Sequence, residues 1–215
     1  MLRILTLCAL LALPGCEALN TLSQASESLN AYELRGSGAG VGAARQLNRD
    51  LTIEAVTVSG ALATDRILIR PSPLEAQYLP GARWTDEAPD MIRTVLVRRF
   101  EATGGFRFVG RRPLAAVGDY ALLTELTDLE AELGPREGLT GENAATARIG
   151  LIATLVREDD AAVLGRRVFS AAVPTSGTSA TAVVTALDQA MSRLFGELGP
   201  WVLSNLGAGV RQAGG

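Results

Sequence analysis

The sequence predicts an α+β fold in two layers, one mixed sheet that is largely antiparallel in its second half and is covered by two main helices. Three observations predict it. Apolar residues recur at three-and-four spacing at about 88–102 and again from Val184 to Leu198, the signature of helices with one buried face. Strand-length apolar segments follow one another at 120–131, 145–157 and 163–173. A chain of 215 residues with 47% hydrophobic side chains is long enough for one sizeable core, and helices packed on one side of a sheet are a stable way to close it.

Taken in order, Leu51, Ile53, Ala55 or Val56 and Val58 read as a first strand and Arg66-Ile67-Leu68-Ile69-Arg70 as a second, because β-branched and apolar residues cluster between turn formers. Pro71-Ser72-Pro73 then predicts a hairpin placed at a sheet edge, where proline is tolerated, and Pro80-Gly81 a further stop. The helix at 88–102 is opened by Thr85 or Asp86 as cap, has Pro89 in its first turn and closes at Gly104-Gly105. Ile92, Val95, Leu96 and Phe100 share its apolar face, and Phe106, Phe108 and Val109 form a short returning strand.

In the segment 145–157, Ala145, Ala147, Ile149, Leu151, Ala153 and Leu155 alternate to one side. Glu158-Asp159-Asp160-Ala161 is short enough to join it to the next strand as an antiparallel hairpin. The long glycine-rich loop at 134–143 is the place for mobility or a partner contact. The terminal helix starts at Thr178 or Ser179, carries Val184, Leu187, Met191, Leu194 and Leu198 as a stripe, and is kinked or ended by Gly199-Pro200. Exposure of Trp201 and Leu206 beyond that point would mark a homo-oligomer or membrane contact, and burial would make them core.

The N-terminus carries a different signal. Arg3 is the one charge before an apolar run at residues 4–13, too short to span a bilayer, and Leu13-Pro14-Gly15-Cys16 resembles a bacterial lipobox. That resemblance implies removal of residues 1–15 as a lipoprotein signal peptide and acylation of Cys16. Glu17, where an inner-membrane retention signal typically has Asp, implies an outer-membrane location. Residues 16–50, with Ser, Asn, Gln and glycines at 36, 38, 40 and 42, read as the lipidated N-terminus and a flexible tether. Residues 51–206 read as one globular domain and 207–215 as a flexible tail. Gly38-Ala39-Gly40-Val41-Gly42-Ala43 nearly fits a dinucleotide fingerprint, but the polar stretch before it is no buried strand, so no cofactor is expected.

Residue types that are missing exclude much chemistry. All twenty basic residues are arginine, and histidine is absent. Without lysine there is no ordinary P-loop and no Schiff-base chemistry. Without histidine the Ser-His-Asp triad and the common zinc sites fall. The two cysteines, Cys8 and Cys16, both lie near the start, so no disulfide framework or thiolate metal site exists further along. Scattered arginines and a net charge of −3 argue against nucleic acid.

Thr64-Asp65-Arg66-Ile67, Gln77-Tyr78, Ala82-Arg83-Trp84-Thr85-Asp86, Pro89, Leu96, Phe100-Glu101, Gly105-Phe106 and Val109 together resemble the auxiliary lipoproteins of ABC-type transport systems. That family includes paraquat-inducible protein C and accompanies mammalian-cell-entry (MCE) domain proteins. The resemblance is strongest over residues 63–111 and looser to Val173; Gly104 replaces the first residue of the usual Ser-Gly after the helix.

It implies a non-enzymatic outer-membrane lipoprotein facing the periplasm. Its partners would be a periplasmic MCE-domain protein, that protein's inner-membrane ABC transporter and phospholipid. The alternative is a lipoprotein scaffold or activator of another envelope machine, for cell-wall synthesis or outer-membrane assembly. Tyr78, Arg83, Trp84 and Trp201 are the candidate partner-binding residues, against structural roles in which Tyr78 and Trp84 anchor the hairpin and helix entry and Arg83 pairs with Asp86. No catalytic or metal-binding residues are expected. Asp128, Glu130 and Glu132 share one strand face, where a carboxylate pair could serve a hydrolase but an acidic row more often faces solvent.

Overall fold

A computed structural model of the chain describes residues 29–37, 40–58, 60–112, 118–134 and 145–211. Cys16, the signal peptide and nearly all of the 134–143 loop lie outside them. The described elements are β1 (Asn30–Tyr32), β2 (Asp50–Ile53), a short 3-10 turn (Gly60–Leu62), β3 (Arg66–Ser72), β4 (Glu75–Trp84), α1 (Ala88–Ala102), β5 (Phe108–Gly110), β6 (Tyr120–Leu133), β7 (Ala145–Arg157), β8 (Ala162–Pro174) and α2 (Ala180–Asn205). The α+β class expected from the sequence is the one observed.

All eight strands form one mixed sheet that forks at β6. One edge of β6 pairs antiparallel with β7 along its length, from Tyr120 opposite Arg157 to Leu133 opposite Ala145. Its other edge is shared: β2 runs parallel to its start, at Leu51 to Ile53, and β3 parallel to its end, at Leu68 to Arg70. From there the order runs through β4 to β1 on one branch and to β5 on the other. The antiparallel stack β6–β7–β8 is the half that the sequence showed most clearly, because its strands are long and β7 and β8 are joined by a tight turn.

Both helices bury one face against the same side of this sheet. Ile92, Val95, Leu96 and Phe100 of α1, and Leu187, Met191, Leu194 and Leu198 of α2, are all buried. Phe100 meets Phe195 edge-on at 5.0 Å between ring centres, which locks the two helices together. Ser179 caps α2 by accepting the Ala182 amide. By contrast, the first turn of α1 has no side-chain cap; the Ala88 amide donates instead to the Thr64 carbonyl at 3.0 Å.

Several expectations are corrected. β1 pairs with residues 82–84 of β4, so residues 30–37 and 40–50 are part of the fold and not a tether. Asp188 on α2 accepts the amides of Arg35, Gly36 and Ser37 at 2.7, 2.7 and 3.0 Å, and Arg99 donates to the Gly36 carbonyl. Gly36 must be glycine here: its φ is +62°, and a Cβ would sit 3.3 Å from Val95 of α1 and 3.6 Å from Met191 of α2. The tail is likewise anchored, with Ala208 buried and Val210 bridged to Ala43.

Gly199-Pro200 neither ends nor breaks α2, which continues to Asn205 because Leu198, Gly199, Val202 and Leu203 on both sides of the proline are buried. Pro80-Gly81 does not stop β4; the strand absorbs it as an irregularity between Tyr78 and Arg83, with Gly81 at φ +67°. The first strand ends at Ile53, and Thr57 rejoins the edge of β6 only as an isolated bridge opposite Glu125.

Replacing Asp188 with alanine leaves three amides of the 35–37 segment without their acceptor. The expected loss is about 2 kcal/mol of folding stability, read as a lower urea midpoint, together with faster proteolysis between residues 33 and 50.

Candidate functional site

Strand alternation gives the sheet two unlike faces. Ala147, Ile149, Leu151, Ala153 and Leu155 of β7 point under the helices and are buried. The residues between them point to the other face, which among the described residues has no helix over it. There β6, β7 and β8 align Ala121 with Val156 and Val163, Leu123 with Thr154 and Arg166, and Glu125 with Ile152 and Val168. Leu123 is 43% exposed, Val163 64% and Val168 65%. Large aliphatic side chains exposed together mark an interaction surface.

A hollow of about 550 Å³ lies on this face, floored by Ala121, Leu123, Ile152 and Val156. It forms where the chain leaving β2 bows away from β6, so that Glu54 and Ala55 become its wall. Four charged side chains line it: Glu54, Glu125, Glu158 and Arg166. Arg112 engages both Glu54 and Glu158. Among the described residues the second carboxylate oxygen of Glu158 is buried with no hydrogen-bond partner. Among the described residues, neither Glu125 nor Arg166 has an ion pair.

Along the same face the surface turns ionic. Arg70 donates to Glu130 at 2.6 Å, and Arg148 to Glu132 at 3.1 Å. Glu130 is 4% exposed, so the acidic row expected to face solvent is instead held by arginines; Asp128 accepts a hydrogen bond from Thr127 at 2.7 Å. The Glu130 carboxylate beside Arg70 raises the Arg70 guanidinium above its ordinary value, despite the opposing effect of burial. At the β2 end, Asp119 accepts the Asp50 amide at 2.8 Å and Arg49 at 2.7 Å. Burial pushes the Asp119 carboxyl up, and the Asp50 amide with Arg49 and Arg107 overcomes this and holds it below the usual range. Among the described residues no three acidic side chains gather into a metal cage.

The four candidate partner-binding residues fall on opposite faces. Tyr78, opposite Leu68, and Arg83, opposite Arg66, share the open face. The Tyr78 hydroxyl donates to the Ala61 carbonyl at 3.3 Å and Arg66 lies over its ring at 5.6 Å. Arg83 pairs with Asp65 at 3.5 Å, where Asp86 was expected. Trp84 is on the helix side, 1% exposed, and is therefore core and not a partner surface. Trp201 stacks edge-on against Phe169 at 5.5 Å and lies over Gly165, whose missing side chain makes room for the indole. It packs against the core, as does Leu206.

Sequence reading missed Leu123, Ile152, Val156, Val163 and Val168 as a surface. The available signal was that Ile152 and Val156 of β7 stand at the parity opposite its buried residues, where a strand with one solvated face needs no large aliphatic side chains.

Replacing Arg70 with methionine leaves the buried Glu130 charge unpaired and costs about 2 kcal/mol, between the values for exposed and buried pairs; Glu130→Gln costs less, because the charge goes with it. Urea midpoints decide between them. The contribution of Asp119 is full above the ordinary carboxylate value of about 3.9 and is lost as pH falls through its lowered value. Asp119→Asn therefore flattens the decline of stability between pH 5 and 2.

The model of the family described as ABC-type transport auxiliary lipoprotein component matches residues 32–198. The crystal structure of protein XCC0632 from Xanthomonas campestris superposes with a TM-score of 0.69 at 28% identity, over 82% of this chain and 96% of that one. A second, uncharacterized protein shares the fold, with a TM-score of 0.60 at 16% identity over 81% of this chain and 99% of that one. No curated protein matches, and no helix of the described residues is long and apolar enough to cross a membrane. A match that runs from the last residue of β1 to Leu198 takes in β2 to β8, α1 and most of α2, and the chain belongs to the family of ABC-type transport auxiliary lipoprotein components.

Proposed function

We propose that this protein is a non-enzymatic lipoprotein of the outer membrane, facing the periplasm, that serves as the auxiliary and docking component of an MCE-type ABC lipid transport system. In this role it helps phospholipid pass between the envelope membranes and so maintains membrane integrity. The observation that supports the reading most is the apolar open face in a chain of this family: Leu123, Val163 and Val168 stay exposed on a sheet whose other face packs against two helices. A domain that only needed to be soluble has no use for them.

The mechanism is positional. Acyl chains on Cys16 supply about 0.8 kcal/mol per buried CH₂, enough for two or three chains together to hold the domain at the membrane without a spanning helix. The open face then meets the MCE-domain partner, so that lipid moves between hydrophobic surfaces and not through water. ATP hydrolysis falls to another subunit, since this chain has no lysine to hold a nucleotide phosphate in a P-loop.

Extraction of the native protein in mild detergent, followed by mass spectrometry, is expected to recover an MCE-domain protein, ABC transporter subunits and phospholipid. Recovery of cell-wall enzymes instead, with no lipid beyond the anchor, overturns the reading in favour of a scaffold. Cys16→Ser is expected to release the protein from the membrane fraction while leaving the domain folded.

A further inference from the structure

We infer that the hollow on the open face holds one acyl chain of a zwitterionic phospholipid, with the lipid phosphate at Arg166 and its ammonium at Glu125. The inference rests on the lipid-transport reading and adds to it a site and a headgroup class.

The floor selects the chain. Ala121, Leu123, Ile152 and Val156 make the floor mainly aliphatic, with the small hydroxyls of Thr57, Thr124 and Thr154 among them, and the backbone beneath is committed to the β6–β7–β8 ladder. An extended peptide laid on this surface would find no backbone groups with which to satisfy its own amides and carbonyls. A hydrocarbon chain has none to satisfy. The volume, about 550 Å³, lies within the range of roughly 300–1,000 Å³ typical of ligand clefts. Beside the hollow, Val163 and Val168 extend the apolar strip toward the sheet edge, where a second chain of the same lipid can lie.

The rim selects the headgroup. Of its four charged residues, Glu54 and Glu158 are engaged by Arg112. Glu125 and Arg166 are the pair with no ion partner among the described residues. The register places them two strands apart, about 10 Å, and two residues apart along the strands, about 7 Å, hence about 12 Å between Cα atoms. They form no direct ion pair, and both line the hollow. A headgroup carrying both a phosphate and an ammonium answers both charges at once, whereas a purely anionic headgroup leaves Glu125 opposed.

The test uses the full-length lipoprotein in detergent with phosphatidylethanolamine that carries a photoreactive diazirine in one chain. Labelling is expected on residues 121–125, 152–156 and 163–168, and competition by unlabelled phosphatidylethanolamine should be at least fivefold stronger than by phosphatidylglycerol. Ile152→Trp, which fills the hollow, should reduce labelling at least tenfold with an unchanged melting midpoint. Arg166→Gln should weaken capture of both lipids, and Glu125→Gln should erase the preference between them.

Labelling elsewhere, labelling undiminished in Ile152→Trp, or equal competition by both lipids in the unaltered protein overturns the inference. Recovery of the MCE-domain protein by the unaltered protein separates the two readings. If that partner is recovered while site labelling fails, the hollow assignment falls alone; if no such partner is recovered, the transport reading falls.

Discussion

β6 is the strand on which every other part of the sheet depends, because it is hydrogen-bonded along both edges and divides one of them between two parallel neighbours. Its length makes this division workable: β2 takes the first turns of the pleat and β3 the last. The space between them is crossed by the chain from Glu54 to Asp65, tied to β6 through Thr57. A bulge between Leu126 and Asp128 lets one long strand serve both branches, and Gly150 lies beneath it, where a Cβ would collide with Thr127 and Asp128. Shorten β6 by half and one of the two branches has nothing to pair with.

The same division creates the asymmetry on which function is argued. On the helix side, α1 and α2 meet through Phe100 and Phe195, and the 33–37 segment is pinned across them by Asp188 and Arg99. On the other side, β2 must leave β6 early to make way for β3, and the departure opens the hollow. An aliphatic surface there lies beside an ordered lattice of arginine–carboxylate pairs. Apolar and ionic zones on one rigid sheet give a surface that can distinguish the two ends of an amphiphile or the two zones of a protein partner.

Much of the fold was legible in the sequence, and the exceptions share a cause. α1 was readable from Ala88 to Ala102 because its apolar spacing, proline and glycines agree, and the β7–β8 hairpin because its strands alternate and its turn is short. What could not be read was long-range: β1 is only Asn30-Ala31-Tyr32, with no strand pattern of its own, and it exists because β4 offers it an edge. Pro200 looks like a stop until the buried residues on both sides of it are known. Trp84 and Tyr78 looked alike as aromatic residues near a turn, and only register separates the buried one from the half-exposed one. The surface on β6–β8 was hidden for the opposite reason, since aliphatic residues at both parities of a strand read as core until a structure shows which side is uncovered.

The clamp on residues 35–37 also sets a distance. Had the chain been free up to Asp50, a domain anchored at Cys16 could have ranged more than about 110 Å from the bilayer. With β1 docked at Asn30, the covalent path from Cys16 cannot exceed about 50 Å, however it is arranged. With the anchor at Cys16 that we propose, β1 would lie within that distance of the lipid headgroups, and the remaining gap would fall to whatever protein comes from the opposite membrane.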